Sequence, residues 1–152
     1  MRILIFCLFV LLGLAAHSQL NEKTIGAIDS KYQKINGGLL RCNEQDVICS
    51  AVAERIIYDC EKAFRLVKVR IIENETDKKV AWLYEQGELI YSESSWQNIR
   101  NDSLLDRQKF YLQHNRLFAW FENGGTAVDS SSARFKETRR SLAAFVAKQS
   151  QQ

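Results

Sequence analysis

Side chains suited to proton transfer or nucleophilic attack are few in this chain and poorly spaced for either. Of two histidines, His17 sits in an apolar leader-like start, which leaves His114. A Ser-His-Asp or Cys-His arrangement needs that imidazole held rigidly beside a nucleophile and an orienting acid. His114 falls instead at the tip of an expected hairpin, where it reads as a solvated turn residue. Cys42, Cys49 and Cys60, with one distant histidine, match no metal-ligand spacing, so neither a metal nor a cofactor is indicated. The tripeptide "NGG" occurs at Asn36 and at Asn123, each time as a chain breaker and not as a phosphate loop. The acidic residues are scattered over polar positions, and no general acid/base pair stands out. A carboxylate pair assembled only by folding would be invisible, which keeps a hydrolase-like enzyme as a third expectation. No catalytic residue is nominated.

Aromatic residues are the class that does concentrate. Trp82, Trp96, Trp120, Tyr91, Tyr111 and Phe118 gather in or beside two fragments that nearly repeat each other, "WLYEQGELIY" from Trp82 and "FYLQHNRLFAW" from Phe110. Trp82 matches Phe110, Gly87 matches Asn115, Leu89 matches Leu117 and Ile90 matches Phe118, always at an offset of 28. Gln86-Gly87 and His114-Asn115 fall where a two-residue hairpin turn requires positive φ. Strict alternation places Trp82, Tyr84, Leu89 and Tyr91 on one side of a sheet with Phe110, Leu112, Leu117 and Ala119. Leu83, Ile90, Tyr111 and Phe118 then line the other side. If helices cover the first side, the second is an exposed apolar face of the kind that marks a partner or ligand surface. Leu83, Ile90, Tyr111, Phe118 and Trp120 are therefore the candidate binding residues.

The elements that would position them are as follows. Ile25, Ile28, Tyr32 and Ile35 recur at helical spacing from 21 to 36, and Asn36-Gly37-Gly38 ends the pattern as a C-cap. Ile48, Val52, Ile56, Cys60 and Ala63 form a second stripe, predicting a buried helix over about 44–64. In "LVKVRIIE", Val67, Val69 and Ile71 alternate with Lys68, Arg70 and Ile72, the period of a half-buried strand. "SSWQNIRNDSLLDRQ" reads as a crossing loop with a helical turn, and "NGGTAVDSSS" as a flexible connection. Phe135, Leu142, Phe145 and Val146 mark a C-terminal helix over about 132–148, with Arg139 and Arg140 on its other side. The expectation is an α+β domain: an antiparallel β-meander of about five strands over about 66–122, with both helical regions packed on one face.

The opening "MRILIFCLFVLLGLAAHSQL" has one positive charge, an apolar run and small residues at Ala16 and Ser18. That is the layout of a signal peptide over 1–18. The run is shorter than the roughly 20 residues needed to span a bilayer. Cys7 lies within it, which argues against a lipoprotein anchor. A single domain over 19–152 remains, periplasmic or secreted and without stable membrane insertion. Cleavage removes only Arg2 among charged groups, so the formal charge falls from +3 to +2. With both signs interspersed, no basic face for nucleic acid is indicated. An exported chain can keep disulfides. On one helix, Cys49 and Cys60 would lie about 16 Å apart, too far for a bond, so Cys42–Cys49 is the preferred pair. Cys60 would then be a buried apolar residue or the link of a homodimer. Asn74-Glu75-Thr76 and Asn101-Asp102-Ser103 are glycosylation triplets in expected loops.

The segment "KFYLQHNRLFAWFENGG", followed by the charged helix "RFKETRRSLAAFVAK", resembles small exported Bacteroidetes-type proteins of uncharacterised function with repeated "YYF-x-NGKLI" hairpins. "WLYEQGELIY" is a second, weaker match, and the turn glycine of that pattern is Asn115 here. The "LAAHSQ" leader end is similar as well. The resemblance implies a periplasmic or secreted sheet-and-helix domain and supplies no catalytic residues. The leading expectation is a protein–protein interaction module, an inhibitor or accessory subunit. A carrier of a small apolar molecule or lipid in an aromatic-lined pocket is the alternative.

Overall fold

The computed structural model describes residues 21–149. The expected signal peptide and Cys7 lie outside the described residues. Helix α1 spans 21–36. Its last turn closes through bonds from the Gly37 N–H to the Gln33 carbonyl and from the Leu39 N–H to the Lys34 carbonyl, with Gly38 at φ 70°. Eight strands follow: β1 (Cys42–Cys49), β2 (Ala53–Cys60), β3 (Phe64–Glu73), β4 (Thr76–Glu85), β5 (Glu88–Asn98), β6 (Leu104–Gln113), β7 (Arg116–Glu122) and β8 (Thr126–Ala127). They form one sheet in chain order, every neighbouring pair antiparallel. Helix α2 (Ala133–Gln149) closes the chain. The class is α+β as expected, with eight strands where about five were expected.

The largest difference falls on 44–64, which is a hairpin and not a helix. Val47, Ile48, Val52, Ile56 and Ile57 are β-branched, lose χ1 freedom in a helix and fit a pleated surface. Ser50 ties the turn by accepting the Ala53 N–H at its Oγ (3.0 Å) and donating its own N–H to the Ala53 carbonyl (2.9 Å). A short 3₁₀ turn, Glu61–Ala63, leads into β3. The hairpin also changes the cysteine pairing. Cys42 and Cys60 are directly opposite in the β1–β2 register, with Cα atoms 4.0 Å apart, and the disulfide joins them. Cys42–Cys49 is therefore corrected to Cys42–Cys60, and Cys60 is neither a lone thiol nor a dimer link. Closing a loop of this length stabilises the fold by about 3 kcal/mol. The segment expected as a crossing loop is likewise strand: β5 runs on to Asn98 and β6 resumes at Leu104.

The two repeated fragments are hairpins at the expected turns. Gln86 (φ 53°) and Gly87 (φ 85°) form one tip, His114 (φ 49°) and Asn115 (φ 58°) the other. Each carries a β-bulge at the same place. Leu83 pairs with Tyr91 and Tyr84 with Leu89, leaving Ile90 extra; Tyr111 pairs with Ala119 and Leu112 with Leu117, leaving Phe118 extra. An extra residue moves the following side chains to the other face. Tyr91 and Ala119 therefore join Leu83, Ile90, Tyr111 and Phe118, not Trp82 and Leu89. Both faces are apolar at this end of the sheet, and each takes a helix. Ile28 and Ile35 of α1 pack on Phe64, Leu66, Leu83, Tyr91 and Tyr111. Phe135 and Val146 of α2 pack on Leu89, Leu112, Leu117 and Trp120. The helices thus cover opposite faces, where one shared face was expected.

Candidate binding groove

The candidate residues taken from the sequence sit in the core. Leu83 (0% exposed), Ile90 (8%) and Tyr111 (2%) are buried under α1, and Phe118 packs against the same cluster. Trp120 (3%) lies on the opposite face, under Phe135. The apolar face expected to be open is a covered one. It is the α1 side of the sheet beyond the helix that stays accessible.

There the inward-facing positions turn polar. Alternation along β3 carries Leu66 to Lys68 and Arg70, and along β4 it carries Leu83 back through Ala81 to Lys79 and Asp77. Beside them β2 presents Glu54 and Ile56, and β5 presents Glu93 and Ser95. Of these, Glu54, Ile56, Lys68, Arg70, Lys79, Ala81, Glu93 and Ser95 line an open groove of about 470 Å³ with Tyr32 and Asn36 of α1, and Asp77 lies buried behind Arg70 and Lys79. A second opening of about 270 Å³ flanks α1 at Ile25 and Asp29, against Arg107, Lys109 and Tyr111. Glu93 lines the first and Arg107, bonded to it, lines the second.

The charges of the groove are paired across strands. Arg70 grips Asp77 with two parallel bonds, Nε to Oδ1 at 3.0 Å and a terminal nitrogen to Oδ2 at 2.9 Å, and Lys79 Nζ lies 3.2 Å from Oδ2. The Arg70 bond, with help from Lys79 and against burial, holds the Asp77 carboxyl below its ordinary range. Glu93 is a second hub. It accepts the Tyr91 hydroxyl (3.0 Å) and Arg107 Nε (2.7 Å), and the Tyr32 hydroxyl stands near it. Burial, then the Glu93 charge and hydrogen bond, push the Tyr32 hydroxyl up to about 12. Tyr91 and Tyr111 are raised as well, chiefly by burial, and Tyr111 donates to Asp29 of α1 at 2.8 Å. Lys68 stands over the Tyr58 ring, 5.0 Å from its centroid.

Such an arrangement presents fixed charges of both signs in a concavity. The Arg70 and Lys79 contacts hold the Asp77 carboxylate in place as an acceptor. Among the described residues no group of three or more His, Cys, Asp and Glu side chains could hold a metal ion. His114 is exposed at its tip, with Nδ1 3.6 Å from Glu88. Among the described residues no helix is long and apolar enough to cross a membrane. Comparison with protein-family models, curated proteins and solved structures found no match. The members of the groove escaped the sequence reading because Lys68 and Arg70 alternate with apolar residues and Lys79 and Glu93 lie beside other polar ones, so that all look like an ordinary solvated face. The signal was the apolar-to-polar switch along each strand at constant parity.

Proposed function

We propose that the protein is an exported, non-enzymatic binding module that recognises a protein partner through the charged groove beside α1, as an inhibitor or accessory subunit. The observation that carries this is the fixing of the groove's charges, Arg70 and Lys79 by the buried Asp77 behind them and Glu93 by Arg107 and Tyr91, which sets a pattern of charge in a concave, accessible site. Preorganised charge of both signs gives register and selectivity to a protein interface. Proton-transfer catalysis would instead call for a carboxyl raised toward neutrality, and Asp77 moves the other way. A carrier of apolar molecules would want aromatic walls, whereas Tyr32 is the one aromatic side chain lining the groove. The Cys42–Cys60 disulfide supports residence in an oxidising compartment.

Photo-crosslinking in the producing cells tests the assignment. A photoreactive amino acid at Ser95 is expected to yield a discrete protein adduct, lost when Lys68→Glu and Lys79→Glu are added. The same probe at exposed Ala144 of α2 is expected to yield none. Equal adducts from both positions, or adducts indifferent to the charge reversal, overturn it.

A further inference from the structure

The two edges of the sheet are unequal. β8 is two residues long, too short to template anything, whereas β1 is an eight-residue edge strand. Which of its amides face outward follows from the ladder. The Glu61 N–H donates to the Arg41 carbonyl, so Arg41 and Glu61 form a hydrogen-bonded pair. Pairs alternate in an antiparallel ladder. Cys42↔Cys60, Glu44↔Tyr58 and Asp46↔Ile56 are then non-hydrogen-bonded pairs. Counting from the Ser50–Ala53 turn through the Asp46/Ile48 bulge reaches the same parity. Cys42, Glu44 and Asp46 thus turn their N–H and C=O groups away from β2. Among the described residues nothing accepts from or donates to the outward main chain of Cys42 or Glu44.

We infer that β1 is a docking edge for an extended segment of a protein partner that carries Lys or Arg at alternate positions. Backbone bonding gives such strand addition its affinity and the alternate side chains its selectivity. The charge on β1 chooses the occupant. The strand has Glu44 and Asp46 and no Lys or Arg, whereas on β2 the Glu54 of the same face is already opposite Arg70 of β3. Opposite charges facing each other across strands are favourable and like charges are not. A second copy of β1 would bring two more carboxylates to the edge, so a basic strand fits and self-pairing does not.

The test uses the full-length exported protein and three blocked decapeptides. One alternates lysine with threonine and valine, one replaces each lysine by glutamate, and one is the lysine peptide N-methylated on alternate amides. Amide exchange by NMR is expected to slow at Cys42, Glu44 and Asp46 with the lysine peptide alone. Glu44→Pro removes one outward N–H without touching the β1–β2 ladder and should weaken binding about tenfold, as should Glu44→Lys. Chemical shifts at Phe64 and Tyr91 report that each variant is folded. Equal binding of the acidic or N-methylated peptide, no protection by any peptide, or concentration-dependent protection of β1 without peptide each overturn the proposal.

Discussion

Glu93 is where the sequence says least and the structure most. One carboxylate, 13% exposed, accepts from Tyr91 and Arg107, linking β5 to β6, and stands near Tyr32 of α1. Glu93→Gln keeps the shape and removes the charge, and is expected to cost about 1–3 kcal/mol, read from urea midpoints. It should also bring the Tyr32 titration down from about 12, though not to the ordinary 10.0, because burial, the largest cause, remains. The pH dependence has a definite sign. A hydroxyl raised in the folded state binds its proton longer there than in the unfolded chain, so its stability contribution is complete below about pH 10. That contribution is lost as pH climbs from 10 toward 12. With Tyr91 and Tyr111 raised in the same direction, thermal unfolding scans should show a flat Tm to about pH 10 and a steep fall above it. Nothing in "YSESSW" marks Glu93 as a hub, since only Tyr91 of its partners is local and Arg107 and Tyr32 come from other stretches of chain.

Among the elements, the repeated hairpins were legible because turn chemistry is local. Gly87 and Asn115 occupy the positions of positive φ that their types tolerate. Asn115 does more than tolerate its turn: its Oδ1 accepts the Leu89 N–H at 2.9 Å, tying the second hairpin to the first. Asn115→Gly therefore suits the backbone and still loses a bond, and should destabilise by about 1 kcal/mol. Asn115→Asp, which keeps the acceptor, should stay within about half that; chemical denaturation of the two separates the roles. The β1–β2 hairpin was illegible for the opposite reason. Ile48, Val52, Ile56 and Cys60 are spaced by four, which mimics a helical stripe, and a bulge between Asp46 and Ile48 breaks the two-residue alternation that would have betrayed the strand. Bulges at Ile90 and Phe118 hid the side on which Tyr91 and Ala119 lie in the same way.

At the scale of the molecule, the sheet is a single layer between two helices, and each face has its own core. Phe135, 2% exposed, seals the α2 side against Trp120, with ring centroids 6.4 Å apart. Phe135→Ala should cost about 3–5 kcal/mol. Tyr111→Ser, on the α1 side, should be of similar size and accompanied by loss of cooperativity at the N-terminal helix, seen by amide exchange. Had Tyr111 lined an open face, that substitution would have been harmless. Sequence alternation revealed that both faces are apolar, but not that each is claimed by a terminal helix, because helix-to-face assignment depends on where the ends of the chain fold back.

Every ladder in this sheet joins strands that are neighbours in the chain. The loops closed in making it are short, and contacts of that kind form early in folding. The exception is α1, whose Asp29 must find Tyr111 across 82 positions. The expected order of folding is that the meander assembles by local pairing before the N-terminal helix docks, which pulsed amide exchange during refolding would read. Tyr32, a wall of the groove, comes with that helix. The groove is therefore complete only once that helix has docked on the sheet.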